Sequence, residues 1–155
     1  MTFPPMQPDP LDPAGPGNNP GTGGKIILYC AADLLWATKI KETGAALGIP
    51  CRPVRSIDML EARLADSLVA AVLLDLEAGP ACFDLLARLR GPASTPEQRA
   101  IPVVAFGPHV DVEALRRAQQ AGATAVMARG ALHRGLPQIL KGLSSGAALE
   151  SQLED

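Results

Sequence analysis

Apolar residues gather along this chain in short blocks separated by amphipathic stretches. The clearest block is 68–76, Leu-Val-Ala-Ala-Val-Leu-Leu-Asp-Leu. No polar residue interrupts it before Asp75, and Gly79 and Pro80 punctuate its far side. A strand wetted on one face would alternate, so this run predicts a strand covered on both faces, as in a parallel sheet between helices. Asp75 then falls at the carboxyl end of that strand, where open α/β sheets place their sites.

Four further apolar runs predict strands at 25–30, 51–54, 101–106 and 125–128. Pro53 cannot donate to a ladder, which puts the second strand at a sheet edge, and Pro102 is tolerable near the start of the fourth. Asp33 is placed to cap a helix running to about Leu47, with Trp36, Ile40, Gly44 and Leu47 on one face and Gly48 and Pro50 ending it. A helix over 57–65 turns Met59, Leu60 and Leu64 inward, and one over 81–89 carries the stripe Cys82, Leu85, Leu86 and Leu89. Residues 91–99 read as a polar loop. Asp111 can cap the next helix, which ends at Gly122. A last helix from about Ala131 holds Leu132, Leu136, Ile139, Leu140 and Leu143 on one face despite Pro137. Five strands alternating with five helices predict a three-layer α/β/α sandwich of the flavodoxin-like kind, with a five-stranded parallel sheet in the order 2-1-3-4-5.

The texture shifts sharply at Lys25. Residues 1–24 alternate Pro with Gly and cannot build a core, so they read as a disordered tail, with Phe3 and Met6 as the alternative of a docking motif. Residues 25–143 form the predicted domain, and 144–155 extend the last helix or fray. A chain of 155 residues has room for one such domain.

Charge adds little. With 47% hydrophobic residues, 19% charged residues and a net charge of −2, nothing in the composition argues for nucleic acid or membrane binding. No apolar run approaches the roughly 20 residues a membrane helix needs, and no charged-then-apolar leader opens the chain, so a cytoplasmic protein is expected. Cys30, Cys51 and Cys82 are odd in number and widely spaced, which argues against a disulfide framework or a zinc site and for buried, reduced thiols. No Gly-x-Gly-x-x-Gly follows the first strand and no Walker loop occurs, which argues against a dinucleotide or ATP enzyme.

Residues 25–29 (Lys-Ile-Ile-Leu-Tyr), 72–76 (Val-Leu-Leu-Asp-Leu), 101–106 (Ile-Pro-Val-Val-Ala-Phe) and 120–123 (Gln-Ala-Gly-Ala) resemble the corresponding segments of response-regulator receiver domains, with ungapped spacing from Pro102 through Gly122 to Arg129. The start Asp33-Leu-Leu-Trp36-x-Thr-Lys-Ile, the segment His109-Val-Asp and the close Ala121-Gly to Arg129 are also similar to a little-characterised group of stand-alone bacterial receiver-like proteins. The resemblance implies a phosphoacceptor aspartate after the third strand, two Mg²⁺-holding acids after the first, a Thr or Ser after the fourth, a Lys after the fifth and an aromatic switch within the fifth. A dianionic phosphoryl group brought to a carboxylate must be met by metal and ammonium charge. Here the aspartate is Asp75, but the acid positions are Cys30 and Ala31, the hydroxyl position Gly107, the lysine Arg129, the proline after it Gly130, and the switch Val126. Cys30 and Ala31 offer no hard oxygen to Mg²⁺.

Other residues near that pocket could stand in for the missing parts. Asp33 and Glu77 are candidate replacement acids, although Asp33 is better placed as a helix cap. Arg129, reaching Asp75, would form a bidentate bridge and occupy its oxygens; the plain alternative is a solvated guanidinium. His109 follows Gly107 and Pro108 at the same edge and reads most simply as a solvated loop residue. Cys30, a buried strand-end thiol without a neighbouring cation, is expected to be inert.

The resemblance therefore implies a degenerate pseudo-receiver: not an enzyme, holding no cofactor or metal, and acting as a protein-interaction module in bacterial signalling. The family's partner face, built from the fourth helix, fifth strand and fifth helix, carries Arg116, Arg117, Val126, Arg129, His133, Arg134 and Lys141 here. That basic patch fits an acidic protein partner, or a homodimer across the same face, and lacks the aromatic-basic pattern of a nucleic-acid surface. The alternatives are an atypical phosphoacceptor using Asp75, and a small-molecule-binding flavodoxin-like module using the cleft beside Gly107, Pro108 and His109.

Overall fold

A computed structural model describes residues 25–146; the tail over 1–24 and the end of the chain over 147–155 lie outside the described residues. Strands β1 (Ile26–Cys30), β2 (Cys51–Pro53), β3 (Val69–Asp75), β4 (Val103–Gly107) and β5 (Ala125–Ala128) alternate with helices α1 (Leu34–Leu47), α2 (Ile57–Asp66), α3 (Pro80–Arg90), α4 (Pro96–Arg99), α5 (Val112–Gln120) and α6 (Arg129–Ser145). The sheet is wholly parallel and runs β2-β1-β3-β4-β5, the expected order. Pro53 does sit on the edge strand.

Two apolar layers sandwich the sheet. Alternate residues of β1 and β3 divide between them: Ile27, Tyr29, Ala71 and Leu73 join α1 and α6, while Leu28, Cys30, Val72 and Leu74 join α2, α3 and α5. Every residue from Ala70 to Leu76 is buried, which is why β3 shows no alternation. Phe106 of β4 lies 5.2 Å from Trp36 of α1, ring centroid to ring centroid. At Gly44 an added Cβ would stand 2.5 Å from Cys51 Sγ and 2.7 Å from the Ile49 carbonyl, so only glycine lets α1 approach β2 this closely.

Several boundaries differ from expectation. Residues 91–99 are not all loop. Thr95 and Gln98 form a capping box around a Pro-initiated turn of helix, α4, whose four residues are too short to show a period. The last helix begins at Arg129 instead of Ala131, because the extended Ala128 at the end of β5 serves directly as its N-cap, with no loop between strand and helix. β4 starts at Val103 and reaches Gly107, and β3 stops at Asp75, where the chain tightens into a 3₁₀ turn over Leu76–Ala78. Asp33 and Asp111 do cap α1 and α5, accepting from the Trp36 and Ala114 N–H groups at 2.9 and 3.2 Å.

Candidate functional site

Asp75 closes β3 at the carboxyl edge of the sheet, fully buried and paired in register with Phe106 of β4. Each carboxylate oxygen accepts a backbone N–H: Oδ2 from Ala32 in the β1–α1 loop at 2.9 Å, and Oδ1 from Glu77 at 3.0 Å. The second bond caps the 3₁₀ turn. Gly79 then turns the chain into α3 with φ of 89°, a left-handed conformation that side chains resist. A buried carboxylate without such donors would cost several kcal/mol, of the order general for isolated buried charges.

Arg129, the first residue of α6, returns across this edge. Its Nη2 hydrogen-bonds Glu77 Oε1 closely and lies 3.4 Å from Asp75 Oδ1. The guanidinium also stands 5.8 Å from the Trp36 ring centroid, within cation–π range. Burial alone would lower its pKa, but the hydrogen bond to Glu77 and the charges of Asp75 and Glu77 outweigh that and raise it. Arg129 is therefore engaged and not solvated. The expected bidentate bridge to Asp75 is corrected: one nitrogen is shared, and Glu77 is its closer partner because its flexible side chain can follow the guanidinium while the buried Asp75 is fixed by two N–H groups. Arg129 Nε is buried and hydrogen-bonds nothing among the described residues.

The remaining pocket positions are apolar or small. Cys30 and Ala31 lie at the end of β1, Cys30 inside the α2–α3 side of the core and Ala31 half-buried. Gly107 is buried, and a Cβ there would meet Leu76 at 3.5 Å, an ordinary contact, so space does not demand glycine. Of the candidate substitute acids, Asp33 is spent on capping α1 and Glu77 on Arg129. No three His, Cys, Asp or Glu side chains among the described residues converge as a metal-binding group.

One pairing escaped the sequence. Cys30 and Cys82 are distant along the chain, yet their thiols hydrogen-bond beside Asp75, and Cys82 Sγ also donates to the Asp75 carbonyl at 2.9 Å. The hydrogen bond with Cys82 lowers the Cys30 thiol pKa, against burial and the Asp75 charge, while the Cys82 thiol is pushed up. All three cysteines are free and buried.

The residues of the predicted basic face are divided between the two helix layers that flank the edge strand β5. Arg116 pairs with Glu113 on its own helix at 2.5 Å, and Arg117 stacks 4.1 Å over Phe83 of α3. Val126 is half-buried against the α3–α5 side. Arg129 and His133 turn the other way, His133 standing edge-on to Trp36 of α1 at 6.3 Å. Arg134 and Lys141 are exposed. α5 and α6 lie on opposite layers, one on either side of β5. On the α6 side the structure assembles a cleft of about 470 Å³ between α1, the β4–α5 loop and the start of α6, walled by Trp36, Pro108, His109, Arg129, His133 and Arg134.

Among the described residues no helix is long and apolar enough to cross a membrane. No family model matches this sequence, and no curated protein matches it. Solved structures do. The chain is similar to the signal receiver domain of a signal transduction histidine kinase from Syntrophus aciditrophicus (22% identity over 79% of this chain and 91% of that one, TM-score 0.64). It is similar to a response regulator from Thermotoga maritima (16% identity, 78% and 98% covered, TM-score 0.61). An orphan response regulator of H. pylori also matches (14%, 84% and 98%, TM-score 0.58). At these identities the likeness is one of fold: this chain has the receiver fold.

Proposed function

We propose that this chain is a pseudo-receiver, a non-catalytic member of the bacterial signalling repertoire that works in the cytoplasm by binding a signalling or regulatory protein. The observation that carries the reading is the occupancy of Asp75. Both its oxygens accept backbone N–H groups, and Arg129 and Glu77 cover it. Phosphoryl transfer to a carboxylate needs a metal to gather charge, and Mg²⁺ needs several converging oxygens. Cys30 and Ala31 supply none at the positions where receivers carry acids, and Arg129 replaces a mobile ammonium with a planar cation tied to Glu77. Such a domain offers partners a fixed shape. A homodimer is a further use of the β5 flank.

Incubating the full chain with acetyl phosphate and Mg²⁺, with intact-mass detection, tests this. No phosphoryl adduct is expected. A stoichiometric adduct that disappears in Asp75→Ala would overturn the reading in favour of an atypical phosphoacceptor.

A further inference from the structure

We propose that the cleft between α1, the β4–α5 loop and the start of α6 binds a carboxylate carried on an apolar body, and that it shares Arg129 with the Asp75 pocket. The cleft's volume, about 470 Å³, lies within the usual range for ligand sites. Its charge is unbalanced. Arg134, one of its walls, has no ion pair among the described residues. The nearest acids are spent: Asp33 and Asp111 cap helices, and Asp75 and Glu77 face Arg129. The amino end of α6, which opens here, has no side-chain cap. Arg129 lines the cleft, and its Nε, buried behind the exposed part of the guanidinium, hydrogen-bonds nothing among the described residues, a lapse that native structures rarely tolerate without a reason. An incoming carboxylate would meet Arg134 and Arg129 together.

The apolar half of the ligand follows from the walls, where Trp36 and Pro108 present carbon surface beside Arg129 and Arg134. Trp36 itself is only 6% exposed and packs between Phe106, tilted at 50°, and His133, at 89°. Such a lining favours a ligand with apolar groups beside its acid. The Arg129 guanidinium cannot hold Glu77 and turn fully to the cleft, so ligand and Glu77 compete. This competition rests on the held-shut reading of Asp75; the cleft's affinity for a carboxylate does not.

Trp36 is the sole tryptophan, so its emission reports the cleft directly. The full chain is titrated with phenylacetate, with the blocked peptide acetyl-Phe-Asp-Leu-amide, and with neutral phenylacetamide. A saturable change with either acid and none with the amide is expected. Tighter binding of the peptide assigns the cleft to a segment of a partner protein, and equal or tighter binding of phenylacetate to a free acid. Arg134→Glu, an exposed change that leaves circular dichroism intact, weakens binding roughly tenfold, and Glu77→Gln tightens it about threefold. No saturable response to either acid in the millimolar range, an equal response to the amide, or full affinity in Arg134→Glu would overturn the site. Unchanged affinity in Glu77→Gln would overturn the sharing of Arg129. Phosphorylation of Asp75, which defeats the pseudo-receiver reading, would leave the Trp36 response in place.

Discussion

Arg129 Nη2 stands 3.4 Å from Asp75 Oδ1 while bonding Glu77 more closely. A single nitrogen thus bridges a buried carboxylate and a half-exposed one two residues apart. Asp75 is fixed by the backbone of two loops, through Ala32 and Glu77, and the arginine supplies countercharge from a third element. Three segments of the chain are thereby tied at one carboxylate.

Removing the cation tests that tie. Arg129→Ala leaves Asp75 its two N–H donors but no countercharge. A buried pair broken on one side costs about 3–5 kcal/mol. The arginine side chain is 30% exposed, so screening reduces the expected loss to about 1–2 kcal/mol. Urea unfolding measures it, and Arg129→Lys should recover part of the loss through its charge. An Arg129→Ala midpoint equal to the parent's would show that the backbone donors suffice.

The thiols make an alkaline prediction. Burial pushes the Cys51 pKa from 9 up to about 12, opposed only weakly by Arg52. The raised folded value means that the native state keeps its proton while the unfolded chain gives it up. Stability is therefore complete below about pH 9 and falls as pH rises from there towards 12, by at most about 1.4 kcal/mol per pH unit for this group. Tyr29 and Cys82 shift in the same direction. Cys51→Val should flatten the alkaline limb of a stability–pH curve, and native Cys51 should resist alkylation at pH 8. A curve of unchanged slope in the variant would refute the assignment.

Periodicity and single-residue chemistry explain how much of the fold is legible in the sequence. The burial of β3 on both faces, the edge position forced by Pro53 and the capping roles of Asp33 and Asp111 are local properties, written in neighbouring residues. The capping box of Thr95 and Gln98 is also written there, but a four-residue helix leaves no period to draw attention to it. The site is legible only in its positions. That Arg129 prefers Glu77, and that Cys82 reaches Cys30, depends on how the first turns of α6 and α3 settle across the sheet edge. The basic residues of α5 and α6 are near one another in sequence, yet they fall on opposite layers, with Arg117 over Phe83 of α3 and Arg129 and His133 beside Trp36 of α1.

Arg90 makes a separate prediction at the opposite end of the sheet. Its Nε donates to Gly122 O at 2.9 Å, Nη1 to Ile101 O at 2.9 Å and Arg99 O at 3.1 Å, and Nη2 to Thr124 Oγ1 at 3.2 Å. One half-buried side chain thereby joins α3 to the loops entering β4 and β5. Arg90→Ala should cost about 2–3 kcal/mol, since hydrogen bonds to a charged group count for more than neutral ones and the carbonyls lose their partner. Because the site lies away from Asp75 and the cleft, Trp36 titrations in the folded variant should match the parent. A variant as stable as the parent would mean that water replaces the arginine at these carbonyls.

The receiver pocket itself can be rebuilt. If its chemistry fails here for want of ligands and not of shape, restoring them should restore it. Gly107 has room for a side chain, since a Cβ added there would meet Leu76 at an ordinary 3.5 Å. Cys30 and Ala31 end β1 beside Asp75, and Arg129 already reaches it. Combining Cys30→Asp, Ala31→Asp, Gly107→Thr and Arg129→Lys supplies two hard oxygens, a hydroxyl and a free ammonium, and releases Glu77. The quadruple variant should gain a saturable Mg²⁺-dependent change in Trp36 emission and an acetyl phosphate adduct on Asp75, both absent from the parent. The buried Cys30→Asp change is the costly one, so a triple variant retaining Cys30 separates misfolding from missing chemistry. Failure of a folded quadruple variant to bind Mg²⁺ would show that the backbone donors of Ala32 and Glu77, and not the lost acids, close this pocket.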